Sequence, residues 1–570
     1  MVPKQRQKTV SGVEFQMRFI ASLALGIWIT AAHAATVTGT VARGDGAGVR
    51  AALVTLTSRD GLFSETVFTD RTGRFHITTG QHGALTLRAR APYLADASET
   101  LDLPAAEGSV ARRLTLRELT DPQSISDSLP ASAHFTRVKF PTRIARQQFQ
   151  TDCLSCHQLG NPFTRKARTP EQWSAILTLM LQYAGYTTPT HLREYADTLQ
   201  SAFDGSPTHV TEHEVVKNEV LKARIVEWKL PGAVIAHDSE VGPADGKFYT
   251  VDQGVDVIYV TDPVINSTTS IPLPDGGVPV GGRFAERGLP IPFNLSVRHG
   301  VHSLQFGPDG RLYITGAIGG EIGVFDVAKR TYQTHSIGGT SLYPHTLRFD
   351  MQGIAWFTMS QSNQVGRFDP ATGQIKVIEL PRGMVRQDER QPLPYGLDVN
   401  PLDGTIWYSK LWANKIGRID PKTLEVAEFV PPMVGPRRLR FDATGLLWIP
   451  GFGDGTLVRL DTRTMSYRSY RIPTLSSGEV EAPYAVAVNP YTQDVWITAN
   501  MSDRVFRFDP KTSSFTAYPL PTRGTYSRDF FFTRDGKVCA PTSPMPPRQE
   551  VLEGGMDAIV CVEPAGNVSG

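Results

Sequence analysis

Residues 394–431 read PYGLDVNPLDGTIWYSKLWANKIGRIDPKTLEVAEFVP, and the same design recurs, altered, on both sides of this stretch. It opens with Pro394-Tyr395-Gly396-Leu397 and crosses a Gly-containing turn to Trp407-Tyr408. It then reaches Ile416-Gly417-Arg418-Ile419-Asp420 and stops at Phe429-Val430-Pro431. Equivalent openings are Pro344-His345-Thr346-Leu347, Pro436-Arg437-Arg438-Leu439 and Pro483-Tyr484-Ala485-Val486, each followed by an aromatic pair (Trp356-Phe357, Trp448-Ile449, Trp496-Ile497). The openings lie 50, 42 and 47 residues apart. Four short strands per unit at that period are the blade of a β-propeller.

The ring can be completed outward. Val301-His302-Ser303-Leu304 opens another unit, and a divergent one runs from near His237 to Leu273-Pro274. The stretch from Tyr526 to Val562 lacks a proline-ended last strand, and Ile225-Val226-Glu227-Trp228-Lys229-Leu230-Pro231 has that form with no unit before it. Pairing the two closes seven blades over 220–565 and removes the free sheet edges. The residue after each opening (His302, His345, Tyr395, Arg437 and Tyr484, with His237 in the divergent blade) then faces one end of the central channel. These side chains are the candidates for a pocket taking an anionic or carbonyl-bearing ligand, and for any catalysis. The competing reading has each of them capping its own blade turn.

The blades resemble those of the virginiamycin B lyase (streptogramin lyase) family in their P-H/Y-x-L/I, W-F/Y and I/V-G-R-F/I-D-P elements. The resemblance implies a seven-bladed propeller and a carbon–oxygen elimination using a divalent cation, a histidine base and channel glutamates. Where many family blades carry W-F-T-E, this chain has Met359, Lys410, Pro450 or Gly451, and Ala499. None is acidic, so a divalent cation is weakly supported here.

The N-terminal third reads differently. Met17-Arg18, an apolar run from Phe19 to Thr30 and Ala32-His33-Ala34 describe a secretory signal peptide cleaved after Ala34, placing the protein in the periplasm or outside the cell. A run of that length falls short of a ~30 Å hydrocarbon core, and no later segment is apolar enough to span a bilayer. The whole chain of 570 residues carries 58 Lys and Arg against 56 Asp and Glu, a net +2. Four bases and Glu14 in the leader leave the remainder near −1, which gives no electrostatic case for nucleic acid. Over 35–119, Val37 and Val41, then Ala52, Val54 and Leu56, then Phe75 and Ile77, then Leu85, Leu87 and Ala89 alternate as in a small antiparallel β-sandwich. Its Thr69-Asp70-Arg71-Thr72-Gly73-Arg74-Phe75 turn resembles that of carboxypeptidase regulatory-like domains, which implies an accessory module. Asp70 reads as a turn cap rather than a metal ligand.

Residues 120–145 read as a linker, and 146–215 as a small all-α domain. Trp173, Ile176, Leu177, Met180 and Leu181 mark one face of a helix that starts at Thr169-Pro170-Glu171, and a further helix is expected from His191 to Phe203. Just before it, Cys153-Leu154-Ser155-Cys156-His157 is the C-x-x-C-H attachment site of a single c-type haem. Two thiols add to the porphyrin vinyl groups, and His157 supplies the proximal imidazole to iron. The sixth position is open between Met180, His191 and no protein ligand. Arg168, Trp173, Met180 and Gly185 resemble the R-x-x-x-x-W, M, G pattern of class I-like cytochrome c domains, which implies Met180. Cys539 and Cys561 are expected to form a disulfide that fastens the ring closure.

The fold class is thus mainly β, with a sandwich, a small all-α cytochrome c domain and a seven-bladed propeller. The favoured function is an exported monohaem cytochrome in electron transfer, its propeller binding a small-molecule substrate or a redox partner protein. The alternatives are a carbon–oxygen lyase with an accessory haem domain, and a non-catalytic ligand-binding protein. No flavin or nicotinamide fingerprint is present.

Overall fold

The computed structural model describes residues 35–104, 108–183, 192–209, 216–382, 392–544, 553 and 555–564. The expected leader, His191 and Gly185 lie outside the described residues.

Six four-stranded antiparallel sheets follow one another, from Ala236–Val241 in the first to Ser514–Pro519 in the last. A seventh is split. Phe531–Phe532, Val538–Thr542 and Ala558–Glu563 take Arg224–Lys229 as the fourth strand, in register from Ala558 opposite Lys229 to Glu563 opposite Arg224. Trp356, Trp407, Trp448 and Trp496 fill the spaces between sheets and are fully buried. The polar edge of several blade aromatics is met by the turn before it. Asp350 Oδ2 accepts from Trp356 Nε1 at 2.7 Å and Asp442 Oδ2 from Trp448 Nε1 at 2.9 Å, while the other oxygen of each carboxylate caps its turn.

The Cys539–Cys561 disulfide is formed, with the two residues directly opposite each other on neighbouring strands. Its role differs from the expectation. Both strands lie on the C-terminal side of the split, so the bond staples the blade internally. Ring closure itself rests on the main-chain ladder between Ala558–Glu563 and Arg224–Lys229.

The sandwich has one sheet of its own, while its other sheet runs on from the seventh blade. Phe63–Phe68 pairs with Arg224–Lys229, from Phe63 opposite Trp228 to Val67 opposite Arg224, giving eight continuous strands. The strand from Phe63 to Phe68 was not among those the alternation picked out. The alternating positions are buried as expected, and Asp70 Oδ1 accepts the main-chain N–H of Thr72 and Arg74 as a turn cap.

Helices occupy Pro122–Asp127, Ala131–Phe135, Arg143–Cys153, Pro170–Tyr183 and Leu192–Ala202. The segment read as a linker therefore holds two short helices, the first capped by Asp121 Oδ2 on Ser124 N at 2.8 Å. Phe135 from the second packs with Phe149, Trp173, Leu177 and Tyr195. The same cluster continues into Tyr395, Leu411, Trp412, Phe452 and Tyr526, so helices and propeller share one core. Against Gly435 and Gly453 the helix Arg143–Cys153 lies close: a Cβ on either would meet Thr151 Cγ2 within 3 Å.

Candidate functional site

A recurring irregularity aims the ring residues inward. The innermost strand slips register over the two residues after its opening in five blades, for instance between Pro344 and Leu347 and between Pro394 and Leu397. Such a bulge re-aims a side chain and interrupts the ladder. Hydroxyls on the second strand repair the interruption. Ser409 Oγ accepts from Gly396 N at 2.9 Å and donates to the carbonyl of Arg437 in the next blade at 2.5 Å. Thr315 donates likewise to the carbonyl of His345, and Thr358 to that of Tyr395.

The predicted residues form a contiguous ring. His237 and His302 have ring centroids 3.6 Å apart, His302 and His345 4.0 Å, and His345 and Tyr395 4.0 Å. Tyr395 and Tyr484 share a hydroxyl–hydroxyl bond of 2.8 Å, and Arg437 Nη2 donates to the Tyr395 oxygen at 2.7 Å. The seventh member, Arg528, was missed because its opening, Ser527-Arg528-Asp529-Phe530, lacks the proline. Alignment with Pro436-Arg437-Arg438-Leu439 is the signal that finds it.

A floor closes the channel beneath the ring. Arg438 Nη1 reaches Asp238 at 2.7 and 2.9 Å and Asp529 at 3.2 Å, Arg348 reaches Asp529 at 2.8 Å, and Arg440 also pairs with Asp529. The C-x-x-C-H loop forms the roof. Arg437 Nη2 donates to the carbonyl of Ser155 at 2.8 Å and the Tyr526 hydroxyl to that of Leu154 at 2.6 Å. Gln158 Nε2 is held by Asp503 Oδ1 and the carbonyl of Thr525 at 2.8 and 2.7 Å. Between roof and floor is a cavity of about 90 Å³, with Cys156, His302, Tyr343, Arg437, Tyr484 and Arg528 among its walls. Phe293 lines it as well, and the Pro292–Asn294 turn packs against the helix Pro170–Tyr183 that bears Met180.

Burial sets the charge states. Desolvation holds all three imidazoles well below the usual histidine range, reinforced at His237 by Arg528, Arg438 and Arg437, at His345 by His302 and Arg438, and at His302 by His237. Burial opposes ionisation of Tyr484, but the Arg438, Arg437 and Arg528 cations outweigh it and lower its pKa, while Tyr395 is raised by burial. The Cys156 thiol is pushed up by burial against the pull of Arg528 and Arg437.

Cys153 and Cys156 are half-buried, Cys153 as the last residue of the helix Arg143–Cys153 and Cys156 in the loop that follows it. His157 Nδ1 lies 2.9 Å from the carbonyl of Gln158. A carbonyl only accepts, so Nδ1 carries the proton and Nε2 keeps its lone pair. That is the tautomer and orientation an axial haem ligand needs. The expected start of the next helix is present: Thr169 N donates to Gln172 Oε1 at 3.0 Å, and Gln172 N to Thr169 Oγ1 at 3.3 Å. Arg168 stacks on Trp173 at 4.7 Å, and the buried Trp173 Nε1 has no acceptor among the described residues. These residues fit a covalently held haem, to which an orphaned buried donor adds support.

Sequence comparison agrees with part of this picture. Residues 292–439 match the virginiamycin B lyase family, and residues 36–117 match the carboxypeptidase regulatory-like domain. No curated protein matches the chain. Among solved structures, virginiamycin B lyase from Staphylococcus aureus is 18% identical and aligns over 60% of this chain and 99% of its own, with a TM-score of 0.47. A catalytically inactive variant of that enzyme with quinupristin aligns over the same shares, also at 18% identity and a TM-score of 0.47.

The positions where that family's blades carry acids hold Met359, Lys410, Pro450, Gly451 and Ala499, all buried. Lys410 is paired with Glu428 and donates to the carbonyl of Pro381 at 2.5 Å. Among the described residues no group of three or more His, Cys, Asp or Glu is placed to hold a metal ion. His237, His302 and His345 lie side by side with their rings tilted by 35° and 45° from one to the next.

Proposed function

We propose that the chain is an exported monohaem c-type cytochrome working in electron transfer, whose propeller receives a substrate or a redox partner's group in the chamber beside the haem. One observation carries the reading: the C-x-x-C-H loop is seated on the channel mouth, tied there by Arg437, Tyr526 and Gln158. Cys153 and Cys156 would hold the porphyrin, with His157 Nε2 towards iron. Bound haem supplies a one-electron couple. The rest belongs to the chain. Gln158 fixes the imidazole, the shared core of helices and propeller keeps the loop in place, and the ring beneath determines what can approach.

The test is production with an export signal in a host that matures c-type cytochromes. The expected product is coloured, with a Soret band, and its Cys153 and Cys156 resist alkylation. Colourless protein with both thiols alkylated overturns the proposal.

The family match at 292–439 favours a second reading, a carbon–oxygen lyase. It predicts metal-dependent linearisation of a cyclic depsipeptide, and absence of product across a panel of divalent cations sinks it.

A further inference from the structure

The chamber has more donors than acceptors. Arg437 Nε and Arg438 Nε and Nη2 are buried donors with no partner among the described residues, and His302 Nδ1, a donor in one of the two neutral tautomers, is likewise unpartnered among them. Arg437 is 1% exposed, Arg438 0% and His302 2%. A buried donor without an acceptor is destabilising, the more so when it is charged. The charge is also concentrated. The guanidinium carbons of Arg437, Arg438 and Arg528 lie 3.7, 5.5 and 5.5 Å from the centroid of the one Tyr484 ring. Asp238 and Asp529 occupy one nitrogen of Arg438, leaving its Nε–Nη2 edge, the face that takes a carboxylate in two parallel bonds. Among the described residues Arg437 is bonded only to neutral oxygens, those of Ser155, Tyr395 and Tyr526. On its own measure the cavity of about 90 Å³ has room for several waters, or one small planar anion.

We propose that this chamber binds a small carboxylate, held by the orphaned Nε of Arg437 and by His302 Nδ1 in the tautomer that protonates it, with Arg438 adding positive charge from the floor. The inference rests on the chamber of the preceding reading and names the ligand chemistry it takes. A carboxylate can come from a free small molecule or from a propionate of the haem itself, and the experiment separates the two.

The full-length protein is titrated with acetate at constant ionic strength, with acetamide as the neutral counterpart, by calorimetry and thermal shift. Haem-loaded protein is compared with haem-free protein, prepared as Cys153→Ser/Cys156→Ser or by expression without haem maturation. Saturable acetate binding, absent with acetamide and weakened about tenfold or more in Arg437→Gln and in His302→Phe, is the expected result. Binding to the haem-loaded form identifies a free carboxylate as the ligand. Binding to the haem-free form alone identifies the propionate. No saturable response in either form, or a response untouched by both substitutions, overturns the proposal. His302→Phe keeps the test decisive if Arg437→Gln does not fold. Colour is read independently, so acetate binding by a protein that never takes haem sinks the cytochrome reading and leaves this one standing.

Discussion

Glu240 shows what one buried carboxyl does to this ring. Its Oε2 accepts the main-chain N–H of Phe306 in the next blade at 2.7 Å, and one blade further Gln305 Oε1 does the same for Phe349 at 3.0 Å. The amide and the acid are structurally interchangeable, but their titration is not. Burial pushes the Glu240 carboxyl from 4.5 up to about 7, with Arg348 opposing and Asp529 adding to it. A folded-state pKa above the unfolded one means the folded protein holds its proton longer. The stabilising contribution is complete below pH 4.5 and is lost as pH rises through about 7. Glu240→Gln keeps the bond between blades and removes the charge. It should raise stability well above pH 7 by about 3 kcal/mol and converge on the wild type at low pH, as followed by denaturant melts across that range. A constant gap at every pH would show that the carboxyl does not titrate in this window. Met180 makes a separate claim on a single residue. If it ligates iron, Met180→Ala should abolish the weak red charge-transfer band of methionine-ligated ferric haem while leaving the covalent attachment intact. An unchanged spectrum moves the ligand elsewhere.

Elements were legible in the sequence where they repeat. Trp407 between its turn and Ile416-Gly417-Arg418 announces a strand because the same local logic occurs blade after blade, and a buried indole needs a stereotyped turn to meet its N–H. The helix Pro170–Tyr183 was legible from its capping signals and its face, on which Trp173, Leu177 and Leu181 are buried. The short helices Pro122–Asp127 and Ala131–Phe135 were not. At five or six residues their stability comes from tertiary packing, and no propensity signal survives at that length. Four of the ring's side chains could be placed from the proline-led openings of their blades, and Arg528 only by alignment of an opening that lacks the proline, whereas the floor made by Arg438, Asp238, Asp529 and Arg348 depends on contacts across the channel. The position of the disulfide depends on strand order in the same way. Because Cys539 and Cys561 close a loop of 22 residues inside the last blade, Cys539→Ala/Cys561→Ala should cost about 3 kcal/mol in unfolding free energy. The ring should nevertheless stay closed through the Ala558–Glu563 ladder. Hydrogen exchange distinguishes the cases, since opening of the ring would expose the amides of Arg224–Lys229 in the double variant.

At the scale of the molecule, the sandwich is built into the propeller's closing blade. Arg224–Lys229 would be an outer edge strand in a free-standing propeller, and Phe63–Phe68 covers that edge over five registered pairs. Side chains lock the junction. Glu65, 1% exposed, is satisfied by Arg224, Thr79 and Gln81, and Arg224 also reaches Glu563 at 3.0 Å. The strand that closes the ring is therefore held on both sides, by the C-terminal strand and by the N-terminal sandwich. Both the N-terminal sandwich and the C-terminal part of the chain must be folded before the eight-stranded sheet is complete. A chain lacking residues 35–119 uncovers the row of main-chain donors and acceptors on Arg224–Lys229 and leaves Arg224 with Glu563 alone. Exposed edges of this kind recruit other chains. The truncated protein should melt at lower temperature and associate with concentration in light scattering, whereas the intact chain should show no such concentration dependence arising from this edge. A truncated chain that stays monomeric with an unchanged melting temperature would mean that the propeller closes without help, and that the continuous sheet is a consequence of the fold rather than a support of it.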